Sequence, residues 1–466
     1  MPTTDPINVV IIHGWSDDYQ SMVKYFDQPL KEEGFLPHYI NYDSLEDAAT
    51  LEDIAEGMFQ KLCLKEFNST PVIDLLHQPG RTLRFITHST GALVVRQMMK
   101  QFAWYNDNQG IAARIESITF LAPANFGSPL AHKAPSLLGR IAKGNKNLED
   151  FGEVGIHILE SLELASPRQW ELADFDLFGG GTTLYGADGI RAFVLTGGAG
   201  YGGIRSFINE DGTDGTIVVA GANLNSRKYV LDFVHNKSSI AWHPGQPVIP
   251  FKIYTELTHA SILEWKNCGT DVVRCLRASA ASYNALGTAF EKETAQAYEL
   301  SGAKQQFQQF VFRVTDDRGN AVEDYHLQFN IWHRNRYKNQ AGTSIIESEH
   351  MDEFEEAKSA ALDEILRKNA HTHSVSPEYK RFLVVPEDID TILGDEYVLT
   401  ISIAAETGDR DIAYNTQEFE NYIIYDPKAP VEISLFYPNT TTLIEVKLDR
   451  YSTLVTRHSP DLYHPM

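Results

Sequence analysis

The chain has 466 residues, of which 43% are hydrophobic, and it carries a formal net charge of −23. This is the composition of a globular protein long enough for two or three domains. The acidic balance and the lack of a Lys/Arg block argue against nucleic acid as a partner and offer no attraction to anionic lipid, so any peripheral membrane contact must be local or apolar.

Cysteine usage and the amino terminus bear on the compartment. Cys63, Cys268 and Cys275 form no CxxC pair, which favours a reducing environment over a disulfide framework. The opening sequence MPTTDPINVVIIHGW has neither a basic leader nor a long apolar core, so no Sec signal is expected. No run approaches the roughly 18 apolar residues of a transmembrane helix. We therefore expect a cytoplasmic or peripherally membrane-associated protein.

Strands and helices are predicted to alternate through the first half of the chain. Short apolar runs predict strands over residues 7–12, 36–42, 82–87, 117–123 and 191–197. Amphipathic patterns predict helices over residues 19–33, 50–67 and 90–102, and Thr50-x-x-Asp53 has the form of a capping box. This alternation favours a mostly parallel sheet with helices on both faces over residues 1–300. Residues 124–190, rich in Gly, Pro and aromatics, interrupt it and are predicted to form a cap-like insertion.

Beyond about residue 300 the pattern changes to the period of two that is typical of half-exposed strands. Strands are predicted over residues 310–315, 326–332, 397–403, 431–437 and 442–448. A charged amphipathic segment over about 351–368 predicts a helical insertion. Residues 301–466 are thus predicted to form a β-rich, sandwich-like domain.

The stretch Thr87-His88-Ser89-Thr90-Gly91 lies between a predicted strand and a predicted helix. A serine in that position is typical of the nucleophile elbow of α/β-hydrolases, where small or compact neighbours let strand and helix pack closely. Thr87 replaces the usual first glycine, so the pentapeptide alone is degenerate, and a helix-capping serine is the alternative. The interpretation depends on whether partner residues follow in the right order.

An acid and a base are expected after the serine in this fold. Asp214 lies directly before the apolar run 217–220 and is the preferred acid, with Asp211 as the alternative. His259 lies between a strand-like run and the helix-like ASILEW and is the preferred base. His235 and His243 are alternatives in more polar, Pro-containing surroundings.

Two backbone N–H groups are expected to form an oxyanion hole. One belongs to Thr90, which follows the serine, and the other to Trp15, in the loop after the first strand. Gly14 gives that loop room to turn. His13, His88 and Gly91 are expected to support the elbow and the turn.

Five segments, in this order, resemble the PlaB-type bacterial phospholipases A: HGWSDD, THSTG, LAPANFGSPLA, TDGTIVVAGANLN and LTHASIL. The resemblance covers residues 7–285 well, and the remainder in layout only. It implies an α/β-hydrolase domain followed by a β-rich domain, and phospholipase A and lysophospholipase A activity. It also implies peripheral membrane attachment and homo-oligomers, and it places nucleophile, acid and base on Ser89, Asp214 and His259.

Two further patterns resemble ligand-binding motifs, but neither is interpreted as a cofactor or metal site. Gly198-x-Gly200-x-x-Gly203 matches a dinucleotide loop, but the turn-rich sequence after it predicts no helix, so a flexible loop is the preferred interpretation. His371 and His373 have no acidic or cysteine partner at metal-ligand spacing. No cofactor and no metal are therefore expected.

The sequence as a whole predicts a serine hydrolase that cleaves acyl esters of phospholipids and lysophospholipids. A carboxylesterase or triacylglycerol lipase is the alternative among enzymes. An inactive membrane-binding scaffold is the alternative from another class.

Overall fold

A computed structural model describes residues 7–15, 17–64, 66–67, 70–71, 82–104, 114–131, 155–179, 184–203, 206, 209–234, 239–243, 248–302, 306–336, 350–409, 411–416, 420–428 and 434–452. The chain divides into two compact units. The first comprises residues 1–226 and 245–305, and the second comprises residues 227–244 and 306–466.

The helices of the described residues are α1 (Tyr19–Glu32), α2 (Leu51–Leu64), α3 (Gly91–Trp104), α4 (Ile156–Leu162), α5 (Pro167–Asp176), α6 (Val219–Ala222), α7 (Trp265–Arg277), α8 (Ala280–Ser301), α9 (Glu353–Lys368) and α10 (Pro386–Leu393). The strands are β1 (Ile7–Ile12), β2 (Phe35–Ile40), β3 (Glu66–Phe67), β4 (Thr70–Pro71), β5 (Leu83–His88), β6 (Ile115–Leu121), β7 (Arg191–Gly197), β8 (Arg227–Asp232), β9 (Ser239–His243), β10 (Phe251–Tyr254), β11 (Gln308–Asp316), β12 (Tyr325–His333), β13 (His371–Thr372), β14 (Tyr379–Val384), β15 (Tyr397–Ala405), β16 (Ile412–Asn415), β17 (Tyr422–Tyr425) and β18 (Thr441–Ser452).

The first unit is built on a six-stranded sheet with the order β10-β7-β6-β5-β1-β2. All neighbouring strands in it are parallel. The central strands β1, β5, β6 and β7 are buried along nearly their whole length, because helices cover both faces of such a sheet. Val9, Ile86 and Phe193 from the sheet pack in one buried cluster with Phe26 of α1 and Val272 of α7. The carboxyl ends of the strands meet at one edge, where ligand sites of parallel sheets lie.

The predicted insertion contributes α4 and α5 to the first unit. Pro167 begins α5, and the Ser166 side chain caps it by accepting a bond from a backbone N–H. Arg96 of α3, fully buried, makes a two-pronged ion pair with Asp176 of α5, with N–O distances of 2.7 and 2.9 Å. The Tyr185 hydroxyl donates to the same carboxylate. A buried ion pair of this kind is strongly destabilising when one partner is removed, so it fastens the insertion to the helix that follows Ser89.

The described residues of the second unit form two sheets. The larger has the order β13-β14-β11-β18-β8-β9, with β16 paired to β18, and the smaller has the order β12-β15-β17. Phe312 and Ile444 of the larger sheet share one buried cluster with Leu399 and Ile401 of the smaller sheet and with Leu362 of α9. The unit is thus the β-rich sandwich with a helical insertion that the sequence predicts.

The hairpin β8–β9 falls within residues 1–300, the range predicted for the first domain, but it belongs to the second compact unit. Strand β8 pairs in parallel with β18, more than 200 residues later in the chain, through a register from Arg227 opposite Thr442 to Asp232 opposite Lys447. The hairpin therefore completes a sheet whose other strands come from the carboxyl-terminal segment. Local alternation cannot reveal such a pairing.

Two predicted elements depart from the structure by more than a shift of their ends by one or two residues. The helix expected over 50–67 ends at Leu64, and Glu66–Phe67 is a short strand paired with Thr70–Pro71. Of the strand expected over 431–437, residues 431–433 lie outside the described residues and 434–437 are not a strand. There the Gln308 side chain takes the place of a neighbouring strand, because its amide N–H donates to the Leu435 carbonyl and its carbonyl accepts from the Tyr437 N–H.

Candidate active site

Ser89 lies in a tight turn between β5 and α3, at the carboxyl edge of the parallel sheet. Its φ is +53°, in the left-handed region that a non-glycine residue adopts at an energetic cost. The turn is held because the Ser89 N–H donates to the Leu121 carbonyl and the Ala92 N–H donates to the Ser89 carbonyl, both at 3.1 Å. This is the strand–turn–helix geometry of a nucleophile elbow.

Two glycines let the elbow pack against the loop that follows β1. A Cβ at Gly91 would lie 2.6 Å from the His13 carbonyl oxygen. A Cβ at Gly14 would lie 2.9 Å from Cβ of Ser89. Both distances are too short for real side chains, so glycine is required at both positions. Thr87, which stands where a glycine is usual, is a fully buried residue of β5.

His259 and Asp214 form a buried pair beside the serine turn. His259 Nδ1 donates to Asp214 Oδ2 at 2.9 Å, and the His259 N–H donates to the Asp214 carbonyl at 2.9 Å. The other oxygen of the Asp214 carboxylate accepts from the Thr216 and Ile217 N–H groups at 3.0 and 2.7 Å. With Nδ1 bound to the carboxylate, Nε2 of the neutral imidazole is left as a proton acceptor.

The alternative acid Asp211 and the alternative base His243 belong to other elements of the chain. Asp211 is exposed on the preceding turn. His243 belongs to β9 of the second unit, and His235 lies outside the described residues. Asp211 is not among the described residues that line the cavity shared by Ser89 and His259.

Trp15 and Thr90, whose N–H groups were expected to form an oxyanion hole, line this same cavity. Within the part of the chain that the structure describes, neither backbone N–H donates a hydrogen bond. Buried backbone donors are nearly always paired, so two free ones at a cavity indicate a site for an oxygen ligand.

His88 and His13 support the site from behind. The His88 ring lies 4.7 Å from the His259 ring, between centroids, and its Nε2 donates to the His259 carbonyl at 3.2 Å. Burial, and then the neighbouring His259, lower the pKa of His88 well below its ordinary value. Burial also lowers the pKa of His13. Both rings are therefore neutral near pH 7.

The cavity has a volume of about 170 Å³ and two chemically different groups of lining residues. Ser89 and His259 belong to the polar group. The apolar group, here called the apolar wall, comes from the insertion and the acid loop and consists of Leu130, Ala131, Leu159, Leu162 and Ile217.

Several lining residues were not predicted as site residues from the sequence. Tyr201, from the loop Gly198–Gly203, covers Gly215, and its hydroxyl lies 3.0 Å from the Thr216 hydroxyl. Ser128 donates to the Thr216 carbonyl at 2.7 Å. Both therefore brace the loop that carries Asp214. In the same loop, a Cβ at Gly200 would lie 2.6 Å from Nδ2 of Asn209, whereas a Cβ at Gly202 or Gly203 would meet no atom of the described residues within 4 Å. Close packing therefore explains only part of this glycine pattern.

No group of three or more metal-binding side chains occurs among the described residues. Nδ1 of His373 accepts from the Val375 and Ser376 N–H groups, which gives this ring a local structural role. In the same part of the chain, no helix has both the length and the apolar character required to cross a lipid bilayer.

The all-parallel sheet, the serine turn at its edge and the His259–Asp214 pair define an α/β-hydrolase fold. Among solved structures, the chain is similar to phospholipase PlaB from Legionella pneumophila, with 22% identity, a TM-score of 0.75, and coverage of 99% of this chain and 98% of that chain. The same phospholipase in complex with thio-NAD matches with 22% identity, a TM-score of 0.73 and coverage of 99% and 97%. The resemblance stated from the motifs is thus confirmed at the level of the fold, over nearly the whole chain.

A lipase of Bacillus licheniformis, BlEst2 in mature form, is a more distant match. It shares 16% identity and a TM-score of 0.41, with coverage of 59% of this chain and 94% of that chain. No protein-family model and no curated protein match the chain.

Proposed function

We propose that the first unit hydrolyses acyl esters of phospholipids and lysophospholipids, as a phospholipase A and lysophospholipase A. The observation that carries the proposal is the content of one cavity. It joins a serine in a strained turn, an imidazole bound to a buried carboxylate, two backbone N–H groups that have no partner among the described residues, and an apolar wall. Serine-dependent acyl transfer to water uses such a nucleophile, base and pair of donors.

In the first half-reaction, Ser89 Oγ attacks the ester carbonyl while His259 Nε2 accepts the hydroxyl proton. Asp214 holds the imidazole in the required tautomer and stabilises the imidazolium that forms. The C–O bond to the alcohol then breaks, and His259 returns the proton to the leaving alkoxide. The products are an acyl-Ser89 ester and a lysophospholipid, or a glycerophosphoalcohol when the substrate has one chain.

In the second half-reaction, water attacks the acyl-Ser89 ester and His259 again accepts the proton. Collapse of this tetrahedral intermediate releases the fatty acid and restores the Ser89 hydroxyl. In both steps the negative charge develops on the former carbonyl oxygen, where the Trp15 and Thr90 N–H groups would bind it. A single such donor contributes about 10²- to 10³-fold to kcat.

The apolar wall supports a fatty acyl substrate. Leu130, Leu159, Leu162 and Ile217 offer an acyl chain a surface that excludes water, at about 0.8 kcal/mol per buried methylene. Among the described residues, no Lys or Arg side chain lines this cavity, so none of them would select a free carboxylate over an ester. Similarity in fold to phospholipase PlaB favours a phospholipid over other acyl esters.

Peripheral membrane attachment and assembly into homo-oligomers belong to the same proposal, since the family resemblance implies both. With a net charge of −23, we expect binding to zwitterionic vesicles that differs little between low and high salt. Co-sedimentation with phosphatidylcholine vesicles tests the first, and sedimentation velocity tests the second.

The test of function is fatty-acid release from phosphatidylcholine, lysophosphatidylcholine and p-nitrophenyl butyrate by the intact protein and by Ser89→Ala. We expect release from both lipids, and a loss of at least about 10⁴-fold in Ser89→Ala. Activity confined to the butyrate would favour a carboxylesterase. No Ser89-dependent release, together with no labelling by a fluorophosphonate, would favour the inactive scaffold.

A further inference from the structure

We propose that His13 and Tyr42 are positioning residues that hold the Trp15 N–H in place as an oxyanion donor. The inference rests on the proposed function and deepens it. Neither residue touches the reacting atoms. They act on the peptide bond between Gly14 and Trp15, through three hydrogen bonds and a stacking contact.

The hydrogen bonds of His13 determine its tautomer. The Tyr42 N–H donates to His13 Nε2 at 3.2 Å, and a backbone amide can only donate. Nε2 is therefore the unprotonated nitrogen. Nδ1 carries the hydrogen and donates to the Gly14 carbonyl oxygen at 2.8 Å. The ring is neutral and fully buried, and it connects the backbone after β2 to the backbone after β1.

The Gly14 carbonyl and the Trp15 N–H are opposite ends of one planar trans peptide unit. A bond that fixes the direction of the carbonyl therefore also fixes the direction of the N–H, which points the opposite way. Accepting a hydrogen bond at the carbonyl also polarises the unit and makes its N–H a stronger donor. Gly14 has no side chain that would restrain this peptide, so the orienting contact must come from elsewhere.

Tyr42 completes the arrangement. Its ring stacks on the His13 ring at 4.3 Å and 9° between planes, and its hydroxyl donates to the His13 carbonyl at 2.9 Å. The sheet explains why the two meet. Ile12 and Ile40 are neighbours in the parallel register of β1 and β2, so the chain leaves both strands side by side. Tyr42 thus holds the His13 carbonyl by a hydrogen bond, while the His13 ring holds the peptide between Gly14 and Trp15 in the same way.

The test uses His13→Ala, His13→Asn and Tyr42→Phe in the full chain. Asn places an amide N–H close to the position of Nδ1, so it can restore the bond to the Gly14 carbonyl but not the bond from the Tyr42 N–H. The matched controls are His38→Asn and Tyr39→Phe, which alter a buried histidine and a tyrosine of β2 outside the cavity. Each variant is measured for kcat and KM on p-nitrophenyl butyrate, for the inhibition constant of a short trifluoromethyl ketone, and for Tm.

We expect His13→Ala to lower kcat about 100-fold with KM within about 2-fold, as for loss of one oxyanion donor. The trifluoromethyl ketone forms a tetrahedral oxyanion, so its affinity should fall by the same factor as kcat. His13→Asn should recover about 10-fold of the loss, and Tyr42→Phe should cost about 3- to 10-fold. The controls should change Tm without changing kcat.

A lowered Tm in His13→Ala with kcat and ketone affinity intact would overturn the inference, as would a raised KM with unchanged kcat. If His13→Ala does not fold, His13→Asn and Tyr42→Phe decide by the same two readouts. Unchanged His13 and Tyr42 variants beside an inactive Ser89→Ala would overturn this inference alone. Full activity in Ser89→Ala would overturn the proposed function together with it.

Discussion

The cavity of the first unit and the core of the second unit differ in the kinds of groups that they bury. At the cavity, Trp15 Nε1, His88 Nδ1 and the Thr90 hydroxyl are buried without a hydrogen-bond partner among the described residues, and Ser89 has a strained backbone. The small cavity inside the second unit is lined entirely by apolar side chains, with Phe312, Phe329 and Phe382 in edge-to-face contact.

This difference separates the work of the two regions. Unpaired donors and a strained turn cost stability, and they persist where surrounding structure holds them and a ligand can use them. An aromatic core contributes stability and offers nothing to a polar substrate. Changes at the cavity should therefore alter rate with little effect on stability, and changes in the second core should do the reverse.

After the loss of the nucleophile itself, the largest effect is expected at the acid of the proposed triad. Asp214→Asn keeps the shape of the side chain but can no longer hold the required imidazole tautomer, so kcat on p-nitrophenyl butyrate should fall about 10³- to 10⁴-fold. Asp211→Asn, in the exposed preceding turn, is the matched control and should stay within about 2-fold. Equal losses in the two variants would remove Asp214 from the triad.

Next comes Phe312→Ala in the second core. Phe312 is 2% exposed, so the lost burial and the new cavity should lower the free energy of unfolding by about 3–5 kcal/mol. Urea unfolding measures the change, and kcat on the soluble ester should remain within about 2-fold where the protein is folded. Phe354→Ala is the control, because Phe354 is 73% exposed and should change stability by less than about 0.5 kcal/mol. A large fall in kcat with unchanged stability would break the comparison.

A smaller effect is expected from Leu159→Phe on the apolar wall. Added bulk at this buried position should shorten the space for an acyl chain. We expect kcat/KM for p-nitrophenyl esters of long chains to fall about 10-fold relative to the butyrate. Leu172→Phe, buried in α5 outside the cavity, should affect stability and leave the chain-length profile unchanged. The same shift in both variants would show that the wall does not measure chain length.

The smallest expected effect is the dependence of stability on pH in the acidic range. Burial lowers the pKa of His13, His38 and His88 in the first unit below the ordinary 6.5, so between the folded and unfolded pKa values the unfolded chain binds more protons. The free energy of unfolding should therefore fall as pH drops below about 6.5, by about 1 kcal/mol per pH unit for each group within its window. His38→Asn should reduce this dependence.

The second unit provides the contrast in pH. Burial opposes the charged form of Asp316, but hydrogen bonds from Asn320 and Arg450 hold its pKa below the ordinary 3.8. Its contribution to stability is present above that value and is lost only as pH falls below it. Hydrogen exchange measured at pH 7.0 and at pH 5.5 should thus show that protection in the first unit is weaker at pH 5.5, whereas protection around Asp316 changes little between the two pH values. Equal loss in both units would contradict this assignment.

Local patterns in the sequence determined the sheet of the first unit and the residues of the candidate site. Short stretches of sequence were enough to predict the apolar run of β1, the turn at Ser89 and the order of Asp214 and His259. Strand period and turn chemistry act over only a few residues. The predicted ends of most strands lie within two residues of the observed ones. The expected fold class is confirmed, whereas the roles of the site residues stay predictions.

Only the tertiary structure decided which distant segments meet. The hairpin β8–β9 pairs with a strand of the second unit, and the Gln308 side chain bonds to the backbone of residues 434–437 where a neighbouring strand was expected. Leu159 and Tyr201 line the cavity, and Tyr42 lies behind it against His13. The tertiary structure also distinguished Asp214 from Asp211 by a hydrogen bond to an imidazole 45 residues away. Such contacts depend on long-range packing, which a single sequence does not display, because many segments share the same local period and only one pairing buries them together.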